Sequence, residues 1–145
     1  MFRSSRYQRN LTRGGRLVRR GVAATEFAIV APVFFLMVIG FIEFGRALMV
    51  QQVLINASRV GARMASTTGS TSSGVQTAVQ NYTSNVAVPG VTVAVTPNPA
   101  TATAGTAITV TASVPYSSVS WLASPWFLKG KTLTATSQMR KEGFE

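Results

Sequence analysis

The sequence contains no cysteine and no histidine. Their absence excludes disulfides, thiol nucleophiles, zinc sites built from Cys and His, and histidine as a general base. Acidic residues are scarce too, since the chain has only four. They form no cluster, and no glycine-rich phosphate loop is present, so nothing activates the many hydroxyl groups. The sequence therefore predicts a protein that is not an enzyme and that holds no metal and no cofactor.

The positive charge is concentrated at the N-terminus. The chain has 14 Lys and Arg residues against 4 acids, for a net charge of +10. Seven arginines and no acid precede Gly21, whereas the rest of the chain has seven basic and four acidic residues. A basic run that flanks an apolar segment is typical of a membrane-orienting leader rather than of a nucleic-acid arm. We therefore expect membrane lipid as a partner and no nucleic acid.

An apolar run covers residues 22–42 and contains one charged residue, Glu26. A helix needs about 20 apolar residues to cross a bilayer, so this run predicts a transmembrane helix. Pro32 lies inside it and predicts a helix kink. The arginines before the run predict a cytoplasmic N-terminus and place the residues that follow outside the membrane.

The remaining chain predicts a small outer domain. Residues 43–66 continue the helix, with Phe44, Leu48, Ile55 and residues 62–64 recurring on one face. Residues 67–74 have the composition of a flexible linker. Residues 75–145 form an α+β extracytoplasmic domain, with a helix at 75–86 and strands near 91–95, 107–115 and 131–140.

The predicted fold is α+β: a long N-terminal, partly transmembrane helix with a small antiparallel β-sheet domain packed on its extramembrane half. Trp121 and Trp126 lie between the last two strands. They either fill the core between sheet and helix, which we favour, or form an exposed patch for adhesion or subunit contact.

A glycine ends the basic leader, and a glutamate follows five residues later in the segment RRGVAATEF. This segment resembles the type IV prepilin processing site, at which a membrane aspartyl peptidase cuts after the glycine. The resemblance implies that residues 1–21 are removed, that Val22 becomes the N-terminus and that Glu26 is the fifth mature residue. A carboxylate in lipid is costly and usually paired. Glu26, beside Phe27, is expected to pair with the Val22 amine of an adjacent subunit.

Residues 19–66 as a whole resemble the TadE-like pseudopilins. A Glu-Phe pair is followed by a proline, a second Glu-Phe block closes the apolar run, and an Asn-Ala-Ser-Arg-x-Gly-Ala-Arg segment comes next. The tail LTATSQMRKE is also similar to that family's closing strand. The residues that carry the two later blocks are Glu43, Phe44, Gly45, Arg46, Asn56, Arg59, Gly61 and Arg63.

The resemblance implies a minor pilin-like component that acts in assembly of a tight-adherence (Flp-type) type IV pilus, for adhesion and biofilm formation. It implies a single-pass protein of the bacterial inner membrane, present in the pilus or in its membrane machinery. The implied partners are the prepilin peptidase, other pilins and pseudopilins, and the inner-membrane assembly machinery.

Other interpretations stay open at this point. The chain is alternatively an unprocessed single-pass anchor whose outer domain binds an envelope component. The leader also has features of a secretory or twin-arginine signal, although the long apolar run and the residues flanking Arg19-Arg20 argue against both. Gly21 is alternatively a helix-start glycine, and Glu26 a carboxylate near the headgroups with no partner. Glu43 and Arg46 are three residues apart and predict an exposed pair or a contact with a neighbouring subunit.

Overall fold

The structure, a computed structural model, describes residues 14–122, 128 and 130–143, with side chains from residue 21 onward. Two helices precede a three-stranded sheet, so the predicted α+β fold is confirmed. The elements are α1 (Gly14–Ser66), α2 (Ser72–Asn85), β1 (Thr92–Thr96), β2 (Ala107–Pro115), a short 3-10 helix (Tyr116–Ser118) and β3 (Thr132–Arg140). The chain divides into two units, residues 1–41 and residues 42–145.

The first unit contains the apolar part of α1. Its best 18-residue window has a mean hydropathy of 2.4, and this single helix is long and apolar enough to cross a membrane. Almost all described side chains from residue 21 to residue 41 are exposed, as expected for a surface that faces lipid. The helix continues through Pro32 without interruption, so the proline does not end it, and a kink there stays a prediction.

The start of α1 differs from the prediction. The arginine-rich composition of residues 1–20, which has no apolar periodicity, predicts a segment that is disordered or lies on the membrane surface. Residues 1–13 lie outside the described part, but the backbone from Gly14 to Arg20 is helical. A long apolar helix supplies the nucleus that these residues need, so helix formation extends into the leader at little further cost.

The sheet of the second unit is antiparallel, in the order β1-β2-β3. Strand β2 lies in the centre, with Ala112 opposite Val93 on one side and Ala135 on the other. The predicted alternation along β2 is confirmed, because Ile108, Val110, Ala112 and Val114 are all fully buried. The outer strands lie within one residue of their predicted bounds.

The face that α1 turns to the core differs in part from the predicted one, since Ala62 is buried and Ile55 packs against the core as expected. Phe44 and Leu48 are 59% and 52% exposed. The buried stripe holds smaller side chains at helical spacing, and these let the helix approach the sheet and α2 closely. Its residues are Ala47, Val50, Leu54, Ala57, Ser58, Gly61, Ala62, Ala65 and Ser66.

Helix α2 begins at Ser72, so it includes the last three residues of the segment 67–74 that was predicted as a linker. Thr71 is its N-cap, and the Thr71 hydroxyl accepts a hydrogen bond from the Gly74 amide at 3.2 Å. The helix buries Val75, Val79 and Thr83 in the core. Val86, the last residue of the predicted helix, lies at the C-cap and is exposed.

Strand β3 runs beside α1 in the same direction. Gln51 donates to the Thr134 carbonyl at 3.0 Å, and the Glu142 amide donates to the Ser66 carbonyl at 2.8 Å. The start of β3 and the end of its partner β2 therefore lie near residues 43–46 of the helix. This arrangement positions the segment between β2 and β3 at the part of the domain that directly follows the apolar run.

Candidate processing and assembly site

Gly21 and Val22 lie on an exposed part of α1. A Cβ atom added at Gly21 would meet nothing within 4 Å, so the fold does not require a glycine here. Because α1 begins at Gly14, Gly21 is not the residue that starts the helix. The Thr25 hydroxyl donates to the Gly21 carbonyl at 3.0 Å, which is an ordinary contact between successive helix turns. The glycine is therefore available for recognition by a partner.

Glu26 and Phe27 are both exposed. Within the described part of the chain, the Glu26 carboxylate makes no hydrogen bond and no ion pair. It lies on an apolar helix, where an ionisable group normally has a partner. Pairing with the Val22 amine of another subunit stays a prediction, and the geometry leaves the carboxylate accessible for it.

Glu43 is buried where the outer domain begins, with 5% of its surface exposed. Its Oε2 atom accepts hydrogen bonds from the Tyr116 hydroxyl at 2.6 Å and from the Ser120 hydroxyl at 2.8 Å. Burial raises the pKa of the Glu43 carboxyl, but the hydrogen bonds of Tyr116 and Ser120, together with the backbone amides of residues 121 and 122, lower it by more, so the pKa lies below its usual value. Glu43 is therefore a buried carboxylate held in its charged form.

Arg46 is 8% exposed and holds the same segment of chain. Its Nε donates to the Val119 carbonyl at 3.0 Å, and Nη2 donates to the Ala87 carbonyl at 3.3 Å. The prediction of an exposed Glu43–Arg46 pair is wrong, because both side chains are buried and bond to residues far away in the sequence. Among the described residues no ion pair joins them.

Trp121 is 70% exposed, so the favoured prediction of a core position is wrong for this residue. The Arg46 guanidinium lies over its ring, 5.2 Å from the ring centroid, at the distance of a cation–π interaction. Trp126, the second tryptophan of that prediction, lies outside the described residues.

These observations can now be compared with known proteins. Residues 21–63 match the family model described as TadE-like protein. This segment is TadE-like. The match confirms the resemblance given by the sequence motifs, and it begins at the glycine of the proposed processing site and ends at Arg63. No curated protein and no solved structure matches the chain.

The second half of the TadE-like segment contains both buried and exposed residues. Gly61 is buried, and a Cβ atom there would lie 2.6 Å from Val79 Cγ2 and 2.9 Å from Val110 Cγ1. Only a glycine allows this approach of α1 to α2 and β2 without displacement. Asn56, Arg59 and Arg63 are exposed and therefore accessible to a partner.

Three residues outside the TadE-like segment that hydrogen-bond to buried groups were not predicted from sequence. Tyr116 and Ser120 hold Glu43, and Lys141 is buried, with its ammonium group 2.6 Å from the Thr67 carbonyl. The Lys141 ammonium also donates to the Ser70 hydroxyl at 3.0 Å. One signal was available, because a lysine directly after an amphipathic strand is well placed to cap a helix C-terminus. Within the described residues, no three acidic side chains lie close enough together to hold a metal ion.

Proposed function

We propose that this chain is a pseudopilin that acts in assembly of a tight-adherence type IV pilus, for adhesion and biofilm formation. In this proposal the prepilin peptidase removes residues 1–21, and residues 22–42 anchor the mature chain in the bacterial inner membrane with the domain outside. The observation that carries the proposal is the TadE-like match itself, which begins at Gly21 and includes an exposed Glu26.

The proposed assembly step depends on the environment of Glu26. The surrounding side chains are apolar and exposed, so they suit either lipid or the helices of neighbouring subunits. In that environment an unpaired carboxylate is destabilising by several kcal/mol. Cleavage after Gly21 creates a positive amine on Val22. Pairing of this amine with Glu26 of an adjacent subunit satisfies both charges and fixes the axial stagger of the two helices.

The first experiment measures the intact mass and N-terminal sequence of the chain recovered from membranes of its own host. We expect the mature chain to begin at Val22. A retained leader in a host with an active prepilin peptidase would contradict the proposal and favour an unprocessed membrane anchor whose outer domain binds an envelope component.

Two glycine substitutions make this experiment specific. Gly21→Val is expected to prevent cleavage, because the added side chain occupies the position that the peptidase must accommodate. Gly45→Val is the matched control, since both glycines lie in α1 and neither has an atom within 4 Å of an added Cβ. The control chain should be processed normally, which separates loss of recognition from damage to the helix.

Pairing is tested by the variant Glu26→Gln, which keeps the shape of the side chain and removes its charge. We expect normal membrane insertion and processing, with reduced co-purification of partner pilins. Glu142→Gln is the control, because Glu142 is exposed and lies in the outer domain. Unchanged co-purification with the Glu26→Gln chain would exclude the charge pair.

A further inference from the structure

An exposed tryptophan is held in place by buried contacts. Its segment, residues 116–122, is fixed to α1 by the hydrogen bonds of Tyr116 and Ser120 to Glu43 and by the bond from Arg46 to the Val119 carbonyl. Trp121 lies against Arg46 and yet keeps most of its surface exposed. Buried hydrogen bonds thus fix a large aromatic ring at the surface.

The position of this ring follows from the helix. Arg46 comes four residues after Ile42, the last residue of the predicted span. A helix rises about 1.5 Å per residue, so Arg46 lies about 6 Å beyond the edge of the hydrocarbon. The headgroup region on each side of a bilayer is about 5–7 Å thick. We therefore expect the Trp121 ring, 5.2 Å from the Arg46 guanidinium, near the depth of the lipid headgroups.

The chemistry of this end of the domain suits a lipid surface. Tryptophan is enriched at membrane interfaces because its ring is apolar and its N–H group is polar. The Tyr116 amide donates to the Lys131 carbonyl at 2.8 Å, which places Lys131 at the same end of the sheet. Lys131 is exposed, and its charge favours phosphate groups. Glu43, the acidic residue at this end of the domain, is buried, and its Oε2 atom is hydrogen-bonded to Tyr116 and Ser120.

We propose that residues 116–122 dock on the surface of the membrane that α1 crosses, with the Trp121 ring in the headgroup layer. The outer domain then contacts the membrane at two points, the helix and this segment, and its tilt relative to the bilayer is fixed. The inference depends on the membrane span and not on cleavage after Gly21, so it can hold even where the proposed pilus function fails.

The test uses the full chain with Trp126→Phe, reconstituted in lipid vesicles, so that Trp121 is the only tryptophan. Vesicles made with lipids brominated near the headgroup end of the acyl chains should quench most of its emission relative to vesicles of unbrominated lipid. The control chain carries Trp121→Phe, Trp126→Phe and Thr101→Trp. Thr101 is exposed, and its neighbour Ala100 lies beside Gly69 near the far end of α1. The control should not be quenched.

A second measurement keeps both native tryptophans. The chain has no cysteine, so Ser118→Cys gives a single site for a nitroxide label on the exposed surface of the same segment. In vesicles this label should be shielded from a water-soluble nickel chelate, and Thr101→Cys should not. Adding Trp121→Ala should increase the accessibility of the Ser118→Cys label.

Three results would overturn the proposal. They are equal Trp121 emission in both kinds of vesicle, equal accessibility of the two labels, and shielding that appears only when other pilins are added. The last result would assign the surface to subunit contact instead of lipid.

Discussion

Gly61 provides the sharpest test of how α1 packs in the outer domain. A Cβ atom at this position would lie 2.6 Å from Val79 Cγ2, 2.9 Å from Val110 Cγ1 and 3.5 Å from Val75 Cγ1. The first two distances are shorter than carbon atoms tolerate. The contacting groups are branched valine methyls with restricted rotamers, so they cannot rotate away easily. The substitution Gly61→Ala must therefore displace the helix or the two elements that it contacts.

The expected magnitude combines two opposite effects. Overpacking of a well-packed core destabilises by about 1–3 kcal/mol. Replacing glycine by alanine inside a helix stabilises by about 1 kcal/mol. The net effect of Gly61→Ala is therefore a free-energy loss of about 0–2 kcal/mol. Gly45→Ala is the matched control, because the added methyl meets no atom and only the gain applies.

The informative quantity is the difference between the two variants, about 1–3 kcal/mol. For a domain of about 100 residues, each kcal/mol changes Tm by about 4–8 °C, so the two Tm values should differ by roughly 4–24 °C. Thermal unfolding of the full chain in detergent, followed by tryptophan emission, reports on the outer domain because both tryptophans belong to it.

A second substitution tests the same contact in the same assay. Val79→Ala removes the methyl group that lies closest to the added Cβ atom, so it should lower the Tm less in the Gly61→Ala chain than in the wild-type chain. A Gly61→Ala chain that melts at or above the Tm of Gly45→Ala would refute the close approach of α1 to α2 and β2.

Three further predictions concern buried polar groups. Tyr116→Phe removes a hydrogen bond to the Glu43 carboxylate and should destabilise the domain by about 1.5–3 kcal/mol, measured as a lower Tm. Burial, and then the hydrogen bond and charge of Glu43, raise the pKa of Tyr116 from 10 to about 12. The stability that the protonated Tyr116 hydroxyl contributes is therefore complete below pH 10 and is lost as the pH rises through 12. When the free energy of unfolding is measured against pH, the Tyr116→Phe chain should lack the loss of stability that Tyr116 causes as the pH rises through 12. An unchanged profile would contradict this role of Tyr116. Lys141→Met removes the buried ammonium that donates to the Thr67 carbonyl and the Ser70 hydroxyl, and it should lower the Tm by an amount equivalent to about 1–3 kcal/mol. Lys131→Met, at an exposed position, should leave the Tm nearly unchanged.

Local patterns in the sequence were sufficient to predict most of the secondary structure of the outer domain. The alternation from Ile108 to Val114 is a property of consecutive residues, and it predicted both the strand and its buried face. The apolar run of residues 22–42 predicted a spanning helix for the same reason. Thr71 could also have been recognised as an N-cap, since a threonine before a helix is one of the preferred starting residues.

The buried face of α1 was not predictable in this way. Both faces of the helix after residue 43 contain apolar side chains, so periodicity identifies two candidate faces and does not choose between them. The choice depends on where the other elements approach the helix. Gly61 lies at a close approach and Leu54 is fully buried, whereas Phe44 and Leu48 are exposed. The helix sequence alone does not reveal where that approach occurs.

The partners of Glu43 and Arg46 were missed for a related reason. A spacing of three residues on a helix suggests that the two side chains pair with each other. They bond instead to Tyr116 and Val119, each 73 residues away in the chain. Only the tertiary arrangement of β2 and β3 beside α1 brings this segment to the helix.

This arrangement constrains the whole outer domain. Glu43 and Arg46 lie inside the TadE-like segment, but the residues that hydrogen-bond to Glu43 Oε2 and to the Arg46 guanidinium lie outside it. A buried charge that loses its partner destabilises a protein by about 3–5 kcal/mol. A domain attached to this helix must therefore supply hydrogen-bond donors for the carboxylate and acceptors for the guanidinium at this position, whatever its sequence elsewhere. The two charged residues thus act as an attachment point that fixes the domain to the helix about one turn after the end of the apolar run.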